Sequence, residues 1–220
     1  MIYYFNFRVV QNNIGNMLNG LGLGLSIAAI SLFLSIIIGL IAAFAAVSSN
    51  RSLNKLAILY TAFFRNTPLL VLIYIAYFGL PDVGIMMGKI ETFVFTLSLY
   101  GGAYMTEVFR AGLRAIPKGI IEAGQAIGLT RFHIRWNIQL PIMFRYVLPS
   151  ISNCLISLFK DTSLAAAITI PELTYLTRKL NVETFRILEA WITAMILYVV
   201  TCYLIAYLLR KIERKLKIEW

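Results

Sequence analysis

EAGQAIGLTRFHIRWNIQLP, residues 122–141, is a polar and basic segment set between long apolar runs, and its reading decides the fold. Glu122, Arg131, His133 and Arg135, with Lys118 just upstream, keep it out of lipid, because a charge costs roughly 2.5 to 3.5 kcal/mol at a bilayer centre on insertion scales. It belongs in water, beside a membrane. The pattern predicts two short helices. Pro117 suits the first turn of one, residues 122–127 are mostly good helix formers, and Gly128 suits the position just past its end. Thr130 can cap the second helix, and Leu140-Pro141 is expected to stop it, since the residue before a proline is pushed out of the α region.

Outward from this stretch the chain is apolar. Of its 220 residues 60% are hydrophobic, and the mean hydropathy is +0.78; soluble domains sit at about 45 to 50% apolar. The formal charge of +10 would point to nucleic acid in a soluble protein. In a membrane protein it reads as basic cytoplasmic loops. Cys154 and Cys202 lie inside apolar runs with no Cys or His at metal-ligand spacing, and they read as small core hydrophobes. Ala43-Phe44-Ala45 mimics a signal-peptidase site, but the apolar run before it is too long for a signal peptide, and the first helix is expected to stay attached.

The runs predict an all-α integral membrane protein with a single membrane-spanning domain over residues 1–220. Five transmembrane helices are placed at about 21–47, 57–80, 93–113, 144–170 and 190–209, with the water-exposed loop 117–141 between the third and fourth. Tyr3, Tyr4, Phe5, Phe7 and Arg8 suit a short interfacial helix ahead of the first span. Gly20, Gly22 and Gly24 fit either close helix packing or a flexible lead-in. Arg65 can snorkel to the near interface, and Glu189, Trp191 and Trp220 read as solvated or interfacial. Five spans put the termini on opposite sides. Residues 48–65, 110–145 and 210–220 carry three, six and five Lys/Arg, against five on the other side. The positive-inside rule then makes the C-terminus and the 117–141 loop cytoplasmic and leaves the N-terminus outside.

The central segment resembles the signature loop of importer permeases of the ATP-binding cassette (ABC) class: EAA, three residues, G, nine residues, I-x-L-P. Glu122-Ala123 opens it, Gly128 holds the glycine place and Ile138-Gln139-Leu140-Pro141 closes it; Gly124 replaces the third alanine. Phe64-Arg65-Asn66-Thr67-Pro68-Leu69-Leu70, with Asn66 where glycine is usual, is similar to the second helix of polar amino acid permeases of the histidine/glutamine type. Gly101-Gly102-Ala103-Tyr104 with Glu107, and Lys160-Asp161-Thr162-Ser163-Leu164, resemble the same subfamily.

The resemblance implies a permease subunit of a polar amino acid importer in a bacterial cytoplasmic membrane, paired with a second copy or a related permease. It implies two ATP-binding subunits, an extracytoplasmic amino acid-binding protein and surrounding lipid as partners, with no nucleic acid. Loop 117–141 would be the coupling element, docking through Glu122, Ala123, Gly128, Leu129, Phe132 and Pro141, with Ile134 adding apolar contact. No GxxxxGK[ST] is present, so ATP and Mg would be bound by the partner, and no HExxH or GxSxG points to an enzyme. A helix pair lying on lipid headgroups is the alternative for the loop.

Glu107, Lys160 and Asp161 are the costly charges of the spans, and intramembrane charges are functional candidates by default. Asp161 suits the α-ammonium of an amino acid; Thr162, Ser163 or loosened backbone N–H groups suit its carboxylate, and Lys160 can pair with Glu107. Buried charges that fix helix register are the competing reading. A different class, an ion-coupled carrier or channel using Glu107 and Asp161 as proton or ion sites, predicts uptake that survives vanadate and collapses with an uncoupler. Which amino acid is carried, and whether the permeases pair with themselves, are not legible here.

Overall fold

A computed structural model describes residues 4–216, and every regular element in that range is helical. The helices are α1 (Arg8–Ala46), α2 (Arg51–Asn66), α3 (Leu69–Asp82), α4 (Lys89–Ala115), α5 (Lys118–Ala126), α6 (Arg131–Ile168), α7 (Leu173–Thr184) and α8 (Ile187–Leu216). Three of them, α1, α6 and α8, are long and apolar enough to cross a membrane, and the bent pair α2 and α3 makes a fourth if counted as one span.

α1 and α4 form the centre, and small residues let them meet. A Cβ on Gly39 would lie 2.4 Å from the Cβ of Met105, and one on Gly101 2.4 Å from Oγ of Ser35. With little hydrophobic drive between helices in lipid, close backbone approach and interhelical hydrogen bonds do the holding. The Ser35 hydroxyl donates to the Ser98 carbonyl at 3.1 Å, and the Tyr60 hydroxyl to the Leu99 carbonyl at 2.6 Å. Phe93, Leu97, Met105 and Phe109 of α4 are fully buried around these contacts.

α1 overturns the expectation of a separate interfacial helix: from Arg8 it is one helix of 39 residues. The glycines do not loosen it. Gly20 sits against Leu176 and the Glu172 backbone, and Gly24 against Thr162, while Gly22 faces open space. Two of the three serve close approach to the elements around α7. Tyr3 and Trp220 lie outside the described residues.

The helix expected over residues 57–80 is broken, with α2 and α3 meeting at 104°. Pro68 has no N–H to continue the ladder and holds Thr67 extended (φ −105°, ψ 130°). The expectation that Leu140-Pro141 ends a helix also fails. Leu140 keeps α geometry and α6 runs on through it, because a wide turn over Arg135–Gln139 precedes the proline. The Leu140 N–H reaches back five residues to the Arg135 carbonyl. The extra residue carries the chain past the point where proline offers no donor. α3 repeats the device over Ile75–Gly79, ahead of Leu80-Pro81. At its far end α6 tightens to a 3-10 helix over Thr162–Ile168 and stops at Thr169, which is left-handed (φ 61°).

Near the chain start, Val10 and Met17 of α1 pack with Leu173 and Leu180 of α7 and with Ala190 and Ala194 of α8. Glu189, expected to be solvated, is fully buried: it accepts the Asn6 N–H at 2.8 Å and lies 3.6 Å from Arg186, which donates to the Tyr4 carbonyl at 2.8 Å. Glu172 is equally buried. It caps α7 by accepting from the Thr174 and Tyr175 N–H groups, and accepts from the Tyr198 hydroxyl at 2.9 Å. Burial pushes its carboxyl above the ordinary range, and those three donors work against the rise. Ala43 of α1, Ile116 and Met143 cluster at the opposite end. α1 and α8 start at one end, so the basic end of α8 and the α5–α6 elbow share the other.

Candidate functional sites: the elbow and the cleft

The α5–α6 elbow is built on a left-handed glycine. Gly128 has φ 82°, its N–H donates to the Gln125 carbonyl at 3.0 Å, and the Leu129 N–H reaches the Gly124 carbonyl at 3.1 Å. That pairing satisfies the last carbonyls of α5 and turns the chain sharply. Thr130 then caps α6, its hydroxyl accepting from the His133 N–H at 3.3 Å. On the inner side Gly124, standing where the family pattern has alanine, is buried, and a Cβ there would be 3.0 Å from the Ile138 Cδ1 methyl.

The outer side presents Glu122, Ala123, Gly128, Phe132 and Pro141 to solvent, with Leu129 half-buried. Ile134 is not among them; it is 4% exposed and packs inward. The large apolar groups of this face are Ile127, 76% exposed, Phe132 at 65% and Trp136 at 57%. Phe132 and Trp136, four residues apart, hold their rings 5.9 Å from each other. Ile127 and Trp136 escaped the sequence reading; the i,i+4 aromatic pair was the available signal. Arg135 turns back over the Phe44 ring at 5.8 Å, tying the elbow to the end of α1.

The second site is a cleft of about 500 Å³ between α4 and α6, and Glu107 and Asp161 both line it. α4 supplies Tyr100 and Tyr104, whose hydroxyls are 3.2 Å apart, and α6 supplies Ser150, Asn153, Ser157 and Asp161. Those four recur at spacings of three, four and four, one face of a helix, which is a polar stripe legible in the sequence and passed over there. Arg65 comes from the end of α2. Its guanidinium lies 5.4 Å from the centre of the Tyr104 ring, stacked on an aromatic face that lines the cleft.

Glu107 pairs with Arg110 one turn along α4, not with Lys160. The register explains why. Gly101 faces Leu158, and Asp161 stands three residues beyond that level while Glu107 stands six residues the other way. At 1.5 Å per residue the two carboxylates are separated by roughly 13 Å along the bundle. Thr162 is buried, donates to the Phe159 carbonyl at 2.6 Å and abuts Gly24, so its hydroxyl does not line the cleft. Lys160 and Ser163 also lie outside the lining. Among the described residues, no group of three or more His, Cys, Asp or Glu is placed to hold a metal ion.

Residues 35–218 match the family model described as binding-protein-dependent transport system inner membrane component. The arginine transport system permease protein ArtQ of Bacillus subtilis (strain 168) is 33% identical over 213 residues, spanning 96% of this chain and 97% of that protein. The glutamine transport system permease protein GlnP of Escherichia coli (strain K12) is 31% identical over 216 residues, with 97% and 99% covered. A chain in the crystal structure of an amino acid ABC transporter with histidines superposes with a TM-score of 0.89 at 25% identity, covering 97% of this chain and all of that one.

Proposed function

This chain belongs to the binding-protein-dependent transport system inner membrane component family, and from that premise we propose that it is the membrane subunit of an ATP-driven importer of polar amino acids. Relatives spanning almost the whole chain carry amino acid permease names. The observation that carries the coupling half of the reading is the elbow: a solvent-facing acid and apolar surface on a rigid glycine turn, in a chain with no phosphate-cradling loop of its own. Ile127, Phe132 and Trp136 form the apolar contact for an ATP-binding subunit that holds ATP and Mg, with Glu122 as polar anchor and Ala123 and Gly128 allowing close approach. This chain itself makes and breaks no covalent bond.

α1, the α2–α3 pair, α4, α6 and α8 are the five spans, with the elbow and C-terminus cytoplasmic and the N-terminus outside. Two permeases form the pathway and an extracytoplasmic binding protein delivers substrate. Closure of the ATP-binding partners drives the two elbows together and opens the path outwards; hydrolysis reverses it. Asp161 in the cleft receives the α-ammonium of the amino acid. The ion-coupled alternative loses support from the 13 Å register gap between Glu107 and Asp161, too long for one proton step, and from the family itself.

The test is Gly128→Asp in the assembled transporter. An added Cβ meets nothing within 4 Å but strains the left-handed backbone at φ 82°, so the change acts on the turn itself, and the amount of inserted subunit is measured alongside. Uptake and transport-stimulated ATP hydrolysis should both vanish. Normal uptake by an inserted variant would refute the coupling role.

A further inference from the structure

We propose that the basic end of α8 carries a binding groove for an anionic phospholipid, its phosphate held by Arg210, Lys211, Arg214 and Lys215 and an acyl chain laid beside Tyr203 and Ala206. That the lipid belongs to the cytoplasmic leaflet rests on the orientation proposed above.

The groove, of about 390 Å³, runs along one face of α8. Its lining recurs at helical spacing: two tyrosines, 203 and 207, then Arg210 and Arg214 with a lysine beside each, and the small Ala206 leaving room between the tyrosine rings. Tyr203 is 74% exposed and Tyr207 61%, so both face away from the subunit. No acid lines the groove, and Glu213, on the same stretch of helix, stands outside it. Among the described residues none of the four cations is ion-paired. Arg210 with Arg214, and Lys211 with Lys215, are like charges at i,i+4, an arrangement that costs a helix stability until an anion bridges it.

The axial spacing selects a lipid as that anion. Arg210 and Arg214 are about 6 Å apart along the axis, the thickness of a headgroup layer at about 5 to 8 Å per leaflet, and Tyr203 stands roughly 10 Å deeper than Arg210. Leu204 and Leu208, 55% and 58% exposed, put that deeper level among acyl chains. A free phosphate would use the cations and leave the tyrosine end of the groove empty. A second copy meeting this face symmetrically would set the same four cations against their likes. The positive-inside bias accounts for the charges but not for two tyrosines aligned beneath them. A basic group near an anionic surface contributes about fivefold in binding, so two together contribute roughly 25-fold.

The experiment is native mass spectrometry of the whole transporter released from nanodiscs of phosphatidylcholine titrated with phosphatidylglycerol. It counts lipids retained per intact complex, so misassembled protein does not enter the count. Wild type should retain phosphatidylglycerol in preference to phosphatidylcholine. Arg210→Gln with Arg214→Gln should weaken that retention roughly 25-fold. Arg51→Gln with Lys55→Gln removes as much charge from exposed positions at the start of α2 and should weaken it less than about fivefold. No preference in wild type, or equal losses in the two double variants, overturns the site and leaves the orientation standing. Displacement of phosphatidylglycerol by inorganic phosphate at constant ionic strength overturns the lipid assignment. So does loss of the ATP-binding subunits from the Arg210→Gln, Arg214→Gln complex with lipid retention unchanged, which would identify a protein partner. Lys211→Cys, in a background lacking Cys154 and Cys202, should react with an impermeant maleimide only after lysis; labelling of intact cells overturns the orientation reading and the leaflet with it.

Discussion

Gly39→Ala in α1 should destabilise the subunit, and Gly22→Ala in the same helix should not. The two changes share one propensity term, since alanine is better than glycine inside a helix by about 1 kcal/mol wherever it sits. Their difference therefore isolates packing. At Gly39 the new Cβ would be 2.4 Å from the Met105 Cβ and 3.0 Å from the backbone of Met105 and Thr106, whereas at Gly22 nothing lies within 4 Å. Backbone cannot swing aside as a side-chain tip can. Restoring ordinary contact at 3.4 Å requires α1 and α4 to part by about 1 Å along the line where Ser35 bonds Ser98. Overpacking of this kind costs about 1 to 3 kcal/mol. For a chain of this length each kcal/mol moves Tm by about 2 to 4 °C, so the variants should differ by roughly 2 to 12 °C. Apparent Tm in detergent at a fixed heating rate reads this directly. If Gly39→Ala melts at or above Gly22→Ala, the close α1–α4 contact is not what holds the centre of the bundle.

The other predictions concern the opposite end. Glu189→Ala strands the Asn6 N–H and leaves Arg186 with fewer partners; hydrogen exchange at residues 5–10 should quicken by one to two orders of magnitude, consistent with losing a charged hydrogen bond of about 1.5 to 3 kcal/mol, and Glu189→Gln should recover part of it. Unchanged exchange would mean that the N-terminal segment is held by something else. Glu172 has a folded-state pKa above its ordinary value of 4.5 because it is buried. Its contribution to stability is full below that value and is lost as pH rises through the higher folded pKa. Glu172→Gln should flatten this descent in a Tm-against-pH series, and a descent of the same slope in the variant would assign the titration to another group.

What was legible in the sequence followed from one-dimensional rules. The charges of residues 118–135 exclude lipid wherever the helices go, and Gly128 and Thr130 mark an end and a start through their own backbone and hydroxyl chemistry. Three things needed neighbours. Pro141 looked like a stop because the wide turn that accommodates it depends on five residues acting together. Glu189 looked like a surface acid beside a tryptophan, and its burial rests on partners that include the Asn6 N–H, returning from 183 residues away, and Arg186. The Glu107 pairing depended on the register of α4 against α6, which no local pattern encodes. The stripe Ser150, Asn153, Ser157 and Asp161 is a different case. Its helical period was present, but hydroxyls and an amide scattered through an apolar run are weak beside the cluster at residues 160–163.

The wide turn over Arg135–Gln139 also makes the spacing within residues 122–141 a mechanical quantity. One residue more than a regular helix needs is stored between the elbow and the membrane part of α6. Excising a single residue there would let the helix close its ordinary ladder and keep the phase on either side, because the wide turn already absorbs its extra residue within the same rotation about the axis. Excising one from the regular helix beyond it would instead swing Phe132 by about 100° around the axis relative to Asp161. The same deletion is therefore absorbed inside those five positions and is a rotation just past them, turning the handle away from whatever grips it.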